Sequence, residues 1–491
     1  MPTSRGGRLP VVAIVGRPNV GKSTLFNRLI GERKAIVGDR PGVTIDRLES
    51  EWVLRSDEDA RSITLVDTGG IGLSASPLQV DGSNAPVDLQ SAIEWQVDAA
   101  LEVADVVMFI TDGSTGVSPL DEMIAERLRR RDVKLLVVVN KAENPDLAHD
   151  FHRLGMGDPL PVSALHNQGL HRLREVLAGS LPPFVPEDET GEPPIARLAV
   201  IGRPNAGKST LINAWLGRER MVVSDRPGTT RDAVDIDLDY KDPKGEGIVR
   251  LIDTAGQRRH ARINDAIEFI ARVKAQQAFA RADAAVMLID GEAGISDQDM
   301  RLMSLAHEKG CALLVAVNKV DLLSDAAWKH LAERLDFRMR GLPDVPLLRI
   351  SARQGRGVHG LLRQAVSAAR RNQSVFPTGE LNRWLEDAQE RQPAPSDHGA
   401  VVRMKYCTQV SSSPPVIRVF CNRPKAVRSA YLKYLEREFR VCFRMTGVPV
   451  RLIFDASDNP YAEKEAGQRQ VKRSKSSPRK AGGSRKGKGR N

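Results

Sequence analysis

Gly16-Arg17-Pro18-Asn19-Val20-Gly21-Lys22-Ser23-Thr24 decides the fold of this chain, and it recurs as Gly202-Arg203-Pro204-Asn205-Ala206-Gly207-Lys208-Ser209-Thr210. Both copies satisfy the pattern G-x-x-x-x-G-K-[ST], follow a short apolar run and precede a helical pattern. Backbone N–H groups of such a loop surround phosphate oxygens, and the N-terminus of the following helix adds partial positive charge. Lys22 and Lys208 are expected to neutralise the β- and γ-phosphates, and Ser23 and Ser209 to bind Mg²⁺.

Further motifs repeat together with the phosphate loop. In the first copy they are Arg40-Pro41-Gly42-Val43-Thr44, Asp67-Thr68-Gly69-Gly70, Asn140-Lys141-Ala142-Glu143 and Ser163-Ala164. In the second copy they are Arg226-Pro227-Gly228-Thr229-Thr230, Asp253-Thr254-Ala255-Gly256, Asn318-Lys319-Val320-Asp321 and Ser351-Ala352. The first two recur at the same offset as the phosphate loop, 186 positions, and the others at slightly different offsets. This pattern is typical of a duplicated domain, because loops tolerate insertions.

The spacing of apolar residues predicts the fold of each copy. Short apolar runs alternate with amphipathic helical patterns such as Glu122 to Arg130, which is typical of an α/β fold with a mostly parallel sheet and flanking helices. In the first copy the predicted strands are Val11 to Val15, Ile63 to Val66, Val106 to Ile110, Leu135 to Val139 and Leu160 to Val162. Four of them run directly into a motif. Since ligands of open α/β sheets bind beyond the carboxyl ends of strands, the motifs are expected to converge on one crevice.

Asn318 to Asp321 indicate which base is bound. A carboxylate after a strand accepts hydrogen bonds from N1–H and the N2 amino group of guanine, a pair of donors that adenine lacks. The Lys319 stem is expected to lie over the base, and the N–H of Ala352 to meet guanine O6. The first copy has Glu143 in place of the aspartate, which keeps the carboxylate and adds one methylene. Guanine binding is expected there as well, and the alternative is that the first copy has degenerated into a scaffold.

Two pairs of residues are expected to contact the γ-phosphate, and a third pair to bind Mg²⁺. One pair lies in glycine-containing loops that close over Mg²⁺ and the γ-phosphate, one ends strands and binds Mg²⁺ through water, and one offers N–H groups to the γ-phosphate. In this order they are Thr44 and Thr230, Asp67 and Asp253, and Gly70 and Gly256. Contacts to the γ-phosphate vanish on hydrolysis, so the loops then relax. For any single threonine or glycine, ordinary turn chemistry is the alternative.

The two copies differ at the residue that follows this motif. Gln257 can orient the attacking water in the second copy, whereas Ile71 cannot form that hydrogen bond in the first. A candidate replacement is a monovalent cation, K⁺, held by Asn19, with Asn205 as its counterpart, which places positive charge beside the phosphates. The alternative is that these two asparagines only stabilise the loop.

The repeats also predict the domain organisation. Residues 9–180 and 195–372 are expected to be two GTPase domains, joined by 181–194, an acidic and proline-rich stretch that is expected to be a semi-rigid linker. Residues 381–461 show a different pattern and are expected to form a small α+β domain. The elements predicted there are the helices Leu381 to Ala388 and Ala426 to Phe439, and the strands Val401 to Cys407, Val416 to Cys421 and Val450 to Phe454.

The net charge of +11 is unevenly distributed. Residues 466–491 hold ten Lys or Arg and no acidic residue, so 462–491 is predicted to be a disordered basic tail. The tail either attracts phosphate-rich nucleic acid or only keeps the protein dissolved. No apolar run reaches the length of a membrane span, no secretory signal is visible, and the four cysteines lack C-x-x-C spacing. A cytoplasmic monomer with reduced thiols and no membrane partner is expected.

Taken together, these motifs resemble one family, the tandem-GTPase ribosome-biogenesis proteins called Der or EngA. The resemblance covers residues from about 9 to 461 and comprises two G-R-P-N-x-G-K-S-T loops followed by a KH-like domain. Further matching stretches are Ile295-Ser296-Asp297-Gln298-Asp299, Tyr406-Cys407-Thr408-Gln409-Val410, Pro414-Pro415 and Tyr431-Leu432-Lys433-Tyr434-Leu435-Glu436. The resemblance implies Mg²⁺-dependent GTP hydrolysis coupled to assembly of the large (50S) ribosomal subunit, with binding to ribosomal RNA. It also implies a response to potassium, which fits Asn19 and Asn205.

The sequence departs from the family pattern in each of the three predicted domains. Glu143 replaces the usual aspartate, Ile45 follows Thr44 where arginine is common, and Gln257 stands where an apolar residue is expected. The third domain lacks the G-x-x-G clamp of RNA-binding KH modules, because its only glycines are Gly399 and Gly447. Basic residues are the other candidates for RNA contact there, or they form an ordinary solvated face; they include Arg423, Lys425 and Arg428.

Two other functions stay open on the sequence. One is a constitutive RNA chaperone in which the nucleotide is structural. The other is an accessory GTPase of tRNA modification, which requires a separate catalytic domain or a reactive cysteine near the C-terminus, and neither is evident in the sequence.

Overall fold

The structure is a computed structural model. It describes residues 9–36, 49–55, 60–70, 89–183, 193–217, 235–243, 245–252, 264–342, 344–394 and 401–456. These residues form two six-stranded sheets and one three-stranded sheet. The chain divides into two compact units, of which the first holds both six-stranded sheets and the second most of the three-stranded sheet.

The first sheet is built around β1 (Val11–Val15), in which every side chain is buried. A parallel strand covered by helices on both faces needs apolar residues at each position, which explains the continuous apolar run. The elements are β1, α1 (Lys22–Ile36), β2 (Glu49–Arg55), β3 (Ala60–Asp67), α2 (Leu89–Val103), β4 (Val106–Asp112), α3 (Pro119–Arg129), β5 (Lys134–Asn140), β6 (Leu160–Pro161) and α4 (Leu170–Ser180). The strand order is β2-β3-β1-β4-β5-β6, with only β2 antiparallel to its neighbour.

The second sheet repeats this topology, with the order β12-β11-β10-β7-β9-β8 and β8 antiparallel at the edge. Its elements are β7 (Ala196–Ile201), α5 (Lys208–Leu216), β8 (Ile236–Asp242), β9 (Gly245–Ile252), α6 (Asn264–Arg281), β10 (Ala284–Asp290), α7 (Asp297–Glu308), β11 (Ala312–Asn318), α8 (Asp325–Arg338), β12 (Leu347–Arg349) and α9 (Val358–Asn372). The predicted duplication of a mostly parallel α/β domain is therefore confirmed.

The sequence prediction did not include the antiparallel edge strand β2. Trp52 and Leu54 are buried, whereas Val53 between them is 37% exposed. Such alternation is typical of an edge strand with one buried face. It is less conspicuous in a sequence than the continuous apolar runs of the central strands.

The third sheet belongs to a small α+β domain, as predicted. Its elements are α10 (Thr378–Arg391), β13 (Met404–Ser412), β14 (Pro415–Cys421), α11 (Ser429–Cys442) and β15 (Arg451–Ala456), with the strand order β13-β14-β15. The helix α11 starts three residues later than predicted, because Pro424–Ala426 forms a separate 3-10 turn. The strand β13 extends to Ser412, five residues past its predicted end, although residues 408–412 are mostly polar.

Packing in this domain explains its alternating strands. In β14 the side chains of Ile417 and Val419 are buried, whereas Arg418 between them is partly exposed. The helices contribute buried aromatic residues, and the rings of Trp384 and Phe439 meet edge to face with centroids 5.0 Å apart. One face of the sheet is thus covered by apolar side chains. Among all described residues, no helix is long and apolar enough to cross a bilayer.

Candidate nucleotide-binding sites

The phosphate loop of the first copy surrounds a buried lysine. The ammonium of Lys22, at the start of α1, donates hydrogen bonds to the carbonyl oxygens of Gly16 at 2.7 Å and Arg17 at 2.8 Å. Asp67, at the end of β3, accepts a hydrogen bond of 2.8 Å from the Ser23 hydroxyl. A Cβ at Gly69 would lie 2.7 Å from Lys22 Cε, so the turn after β3 packs closely against the lysine, and a larger residue there would displace the lysine side chain. The first and third strands therefore deliver their motifs to one place.

The second copy holds its lysine in the same way. The ammonium of Lys208 donates to the carbonyl oxygens of Gly202 and Arg203, both at 2.8 Å. Lys208 begins α5, as Lys22 begins α1. Two chemically equivalent phosphate cradles are thus present in one chain.

A buried asparagine joins three of the motifs. Asn140, 3% exposed, donates from Nδ2 to the carbonyl oxygen of Val20 at 2.8 Å and accepts at Oδ1 from the N–H of Ala164 at 3.0 Å. The equivalent contacts in the second copy are Asn318 Nδ2 to Ala206 O at 2.8 Å and Ala352 N to Asn318 Oδ1 at 2.9 Å. Phosphate loop, base motif and Ser-Ala motif therefore converge, as expected.

The same bond gives the Ala352 N–H a partner that the sequence prediction did not anticipate. This donor was expected to meet guanine O6, whereas in the structure it donates to Asn318 Oδ1.

Glycine is needed in the phosphate loop where it faces the asparagine of the base motif. At Gly207, where φ is +95°, an added Cβ would collide with Asn318 Nδ2. The positive φ and this close approach together explain why the second glycine of the phosphate loop cannot be replaced by a larger residue.

An aspartate that sequence reasoning missed pairs with the base-motif lysine in each copy. Lys141 Nζ lies 2.7 Å from Asp112 Oδ2, and Lys319 Nζ lies 2.6 Å from Asp290 Oδ2. Burial alone would raise the pKa of Asp112, but hydrogen bonds from Lys141 and Ser114 outweigh it and lower the pKa. The missed signal is an Asp-Gly pair that recurs 178 positions later, the same offset as the base motif.

The carboxylates expected to recognise guanine are held alike in both copies. The Ser351 hydroxyl is the main cause that lowers the pKa of Asp321, which keeps this carboxylate ionised. In the first copy Ser163 Oγ donates to Glu143 Oε1 at 3.1 Å. The extra methylene of Glu143 therefore leaves the serine contact in place, and the first copy keeps the arrangement of a base site.

Asn19 and Asn205 have the left-handed backbone conformation, with φ of 65° and 63°. Both are exposed. Asparagine tolerates this conformation better than most residues, because its short side chain bonds locally. The backbone conformation alone is thus a sufficient reason for asparagine at these positions.

Several predicted site residues lie outside the described residues. They are Thr44, Ile71, Thr230, Asp253, Thr254, Ala255, Gly256 and Gln257, together with most of the linker and the basic tail. The roles given to them from the sequence stay predictions.

Burial lowers the pKa of the two phosphate-loop lysines. It is the main cause that lowers the pKa of Lys22 and of Lys208 from 10.5 to about 8; Asp67 and Asp299, respectively, oppose the shift. The polyphosphate is expected to bind the ammonium form, so above pH 8 binding should take up a proton, and affinity should fall as the pH rises. We expect the Kd for GTP to increase about fourfold from pH 7 to pH 8.5.

Isothermal titration calorimetry in buffers of different ionisation enthalpy tests this expectation. Proton uptake on binding must appear at pH 8.5 and be nearly absent at pH 7. Stopping at pH 8.5 keeps N1 of guanine protonated. A Kd and a proton count that do not change over this range would contradict the lowered pKa of the lysines.

Comparison with known proteins agrees with this geometry. Residues 11–141 and 197–319 each match the profile of a 50S ribosome-binding GTPase, and 376–454 match the C-terminal KH-domain-like module of EngA bacterial GTPases. GTPase Der of Moorella thermoacetica is 42% identical over 456 residues, 91% of this chain and 98% of that relative. The protein of the same name from Solidesulfovibrio magneticus is 41% identical over 461 residues, 93% of this chain and 100% of that relative. With two GTP-binding domains and a KH-like domain in this order, the chain belongs to the Der (EngA) family of GTPases.

Proposed function

We propose that this GTPase is a switch that binds ribosomal RNA in the large ribosomal subunit and acts in assembly of that subunit. The observation that carries the proposal is the pair of equivalent nucleotide sites, each inside a domain that matches the 50S ribosome-binding GTPases. Two sites whose phosphate-loop lysines and base-motif asparagines make the same contacts favour a cycle of GTP binding and hydrolysis over one structural nucleotide.

Mg²⁺ fits the oxygens found at the first site. The Ser23 hydroxyl and the Asp67 carboxylate already lie within hydrogen-bond distance, and hydroxyl and carboxylate oxygens suit this ion. We assign Ser23 to direct binding and Asp67 to binding through water, with Ser209 and Asp253 as their counterparts by sequence. Thr44 and Thr230 are assigned to loops that close over Mg²⁺ and the γ-phosphate. When bound, Mg²⁺ neutralises charge on the β- and γ-phosphates.

Local hydrogen bonds hold the first residues after β3, which precede the loop that is proposed to respond to the γ-phosphate. The hydroxyl of Thr68 donates to the carbonyl oxygen of Ile14 at 2.7 Å, and the N–H of Gly69 donates to Asp67 Oδ1 at 2.8 Å. The part that responds to the γ-phosphate therefore begins at Gly70 and the residues after it. Loss of the γ-phosphate releases this part without disturbing β3.

Hydrolysis is proposed to differ between the two sites. Gln257 orients water in the second, and K⁺ near Asn19 supplies positive charge in the first. Asn19 lies at the exposed surface of the phosphate loop, and its carbonyl oxygen already accepts the Lys141 ammonium at 3.0 Å. Because that oxygen already has a positive charge beside it, the proposed K⁺ is held by the Asn19 side chain and the phosphates and not by this carbonyl oxygen.

The RNA partner is supported by charge. The chain carries +11, most of it in the basic tail. Arg423, Lys425 and Arg428 of the third domain are all exposed, around a 3-10 turn before α11. Neutralisation of RNA phosphates by such residues gives affinity without sequence readout, and it weakens as salt rises.

The test is affinity for isolated 50S subunits with a non-hydrolysable GTP analogue against GDP, with 30S subunits as the control. A ligand shifts an equilibrium only through differential affinity, so a switch must bind 50S subunits at least about tenfold more tightly in one state. Equal affinity in both states would indicate a constitutive RNA chaperone. If the protein bound 50S subunits neither with the GTP analogue nor with GDP, the proposed ribosomal role would be wrong.

A further inference from the structure

We infer that Arg17 and Arg203 position the phosphate loops, and that Asp121 and Asp299, in the helices α3 and α7, are the anchors that hold them. This inference concerns the nucleotide sites and does not depend on the ribosomal partner. It gives a role to the stretch Ile295 to Asp299, which the sequence only marks as matching the family.

In the first copy the arginine points from the phosphate loop to the start of α3. Arg17 Nε lies 3.2 Å from Asp121 Oδ2, and Arg17 Nη2 donates to the Thr115 hydroxyl at 2.5 Å. The Asp121 side chain has an exposed fraction of 0%, and that of Arg17 is 18%. The guanidinium thus links the phosphate loop to two neighbouring segments.

The second copy repeats the arrangement with different surroundings. Arg203 Nε lies 3.1 Å from Asp299 Oδ2, and Asp299 is 1% exposed. Arg203 Nη2 donates to the carbonyl oxygen of Gly294, which takes the place of the threonine hydroxyl. Because the ion pair persists while the second contact changes, the pair is the constant part of the arrangement.

Each aspartate is also held by contacts that do not involve the arginine. In the capping box of α3, Asp121 Oδ2 accepts from the N–H of Ser118 at 3.0 Å, and the N–H of Asp121 donates to the Ser118 hydroxyl at 3.2 Å. The same hydroxyl donates to Asp121 Oδ2 at 2.8 Å. Ser296 and Asp299 form the same capping box in α7, with hydrogen bonds of 2.9 and 3.2 Å. Each anchor is therefore a rigid part of a helix N-terminus.

Burial of these carboxylates is costly unless a cation compensates. Within the described part of the chain, Oδ1 of both Asp121 and Asp299 is buried and has no hydrogen-bond partner. A buried charge in this state is tolerated when an opposite charge faces it, and the guanidinium supplies that charge. Replacing the arginine leaves an uncompensated carboxylate beside the phosphate loop.

The phosphate loop needs such anchors because of its backbone. Asn19 has a Cβ and φ of 65°. This conformation costs free energy for a residue other than glycine and persists only when the surroundings hold it. An arginine that instead stabilised the transition state would have to face the γ-phosphate. Here two of its nitrogens are engaged on the side of α3.

The experiment compares Arg17→Ala, Asp121→Asn and the double variant in the full-length chain with Lys208→Ala, which leaves the first site to be measured. Asn keeps an oxygen for the capping box and removes the charge. We expect each single variant to lower the affinity for GDP and for GTP alike, by about tenfold or more. The double variant should bind no more weakly than the single variant with the lower affinity, because the two residues act as one unit. KM should rise more than kcat falls.

Two controls separate positioning from other effects. Arg130→Ala removes a surface arginine that pairs with Glu126, with both side chains more than 60% exposed, and should leave the affinity unchanged. Arg17→Lys keeps the charge and loses the fork, so its affinity should lie between those of wild type and Arg17→Ala. If Arg17→Ala does not fold, Arg17→Lys and Asp121→Asn carry the test.

The opposite results are equally clear. Unchanged GDP affinity with a fall in kcat for Arg17→Ala would make Arg17 a catalytic residue. Full affinity in Asp121→Asn would show that the carboxylate anchors nothing. Either result overturns the inference and leaves the family's GTPase activity and the proposed ribosomal role untouched.

Discussion

Replacing Lys22 and Lys208 together by alanine is expected to abolish GTP turnover, and each single replacement to silence only its own site. Lys22 is 7% exposed and its ammonium is held by two carbonyl oxygens, with no second lysine in the loop to take its place. Alanine removes the positive charge and leaves those two carbonyl oxygens without the donor that the ammonium supplied. Loss of one preorganised charge of this kind costs on the order of 10²–10³ in rate.

Turnover of GTP by the wild-type protein, the two single variants and the double variant measures this effect. Lys134→Ala is a suitable control, because Lys134 is exposed at the start of β5. A double variant with wild-type turnover would show that the phosphate loops are not the sites of hydrolysis. If one single replacement stopped all turnover, the two sites would have to depend on each other.

Replacing Asp321 by asparagine is expected to change the base that the second site prefers. The carboxylate is expected to accept from N1–H and from the N2 amino group of guanine, whereas an amide can accept one hydrogen bond and donate another. Xanthine carries an oxygen where guanine carries the amino group, so the variant should lose GTP and gain XTP. Sites built on such a donor pattern discriminate by about 10⁴-fold, which sets the scale of the switch.

Glu143→Gln is the matched change at the first site. The contact from Ser163 to Glu143 shows that the longer side chain still reaches its serine, so the same change of base preference is expected there. Binding of fluorescent GDP and XDP to each variant, with the other site silenced at its lysine, is the measurement. If GDP binds Glu143→Gln as tightly as wild type, Glu143 does not recognise the base.

The central architecture could be predicted because sequence and environment coincide there. Val11 to Val15 was predicted residue for residue, since a strand buried on both faces must be apolar throughout. The strand ends then placed Asp67 and Asn140 next to the phosphate loop, as the structure shows. Motif spacing and strand burial together were sufficient for this part of the site.

Other features depend on partners that a single sequence does not reveal. The edge strand β2 owes its existence to pairing with β3, and Asp112 owes its role to a lysine 29 residues away. The ion pair between Arg17 and Asp121 spans 104 residues. Interactions across such separations follow from the fold and not from local propensity, so they become visible only once the strands are assembled.

The contact from serine to carboxylate also bears on chemical inhibition of this GTPase. A compound that occupies the expected guanine pocket meets a carboxylate held by a serine in each copy, Glu143 by Ser163 in one and Asp321 by Ser351 in the other. Selectivity between the pockets can exploit one methylene, or His166, whose imidazole lies 3.9 Å from Glu143 and is replaced in the second copy by Gln354. It can also exploit Arg353, whose charge acts on Asp321 and whose counterpart in the first copy is Leu165. A guanine mimic without such a group would act on both halves of the enzyme at once, so that resistance through a single substitution would be harder to acquire.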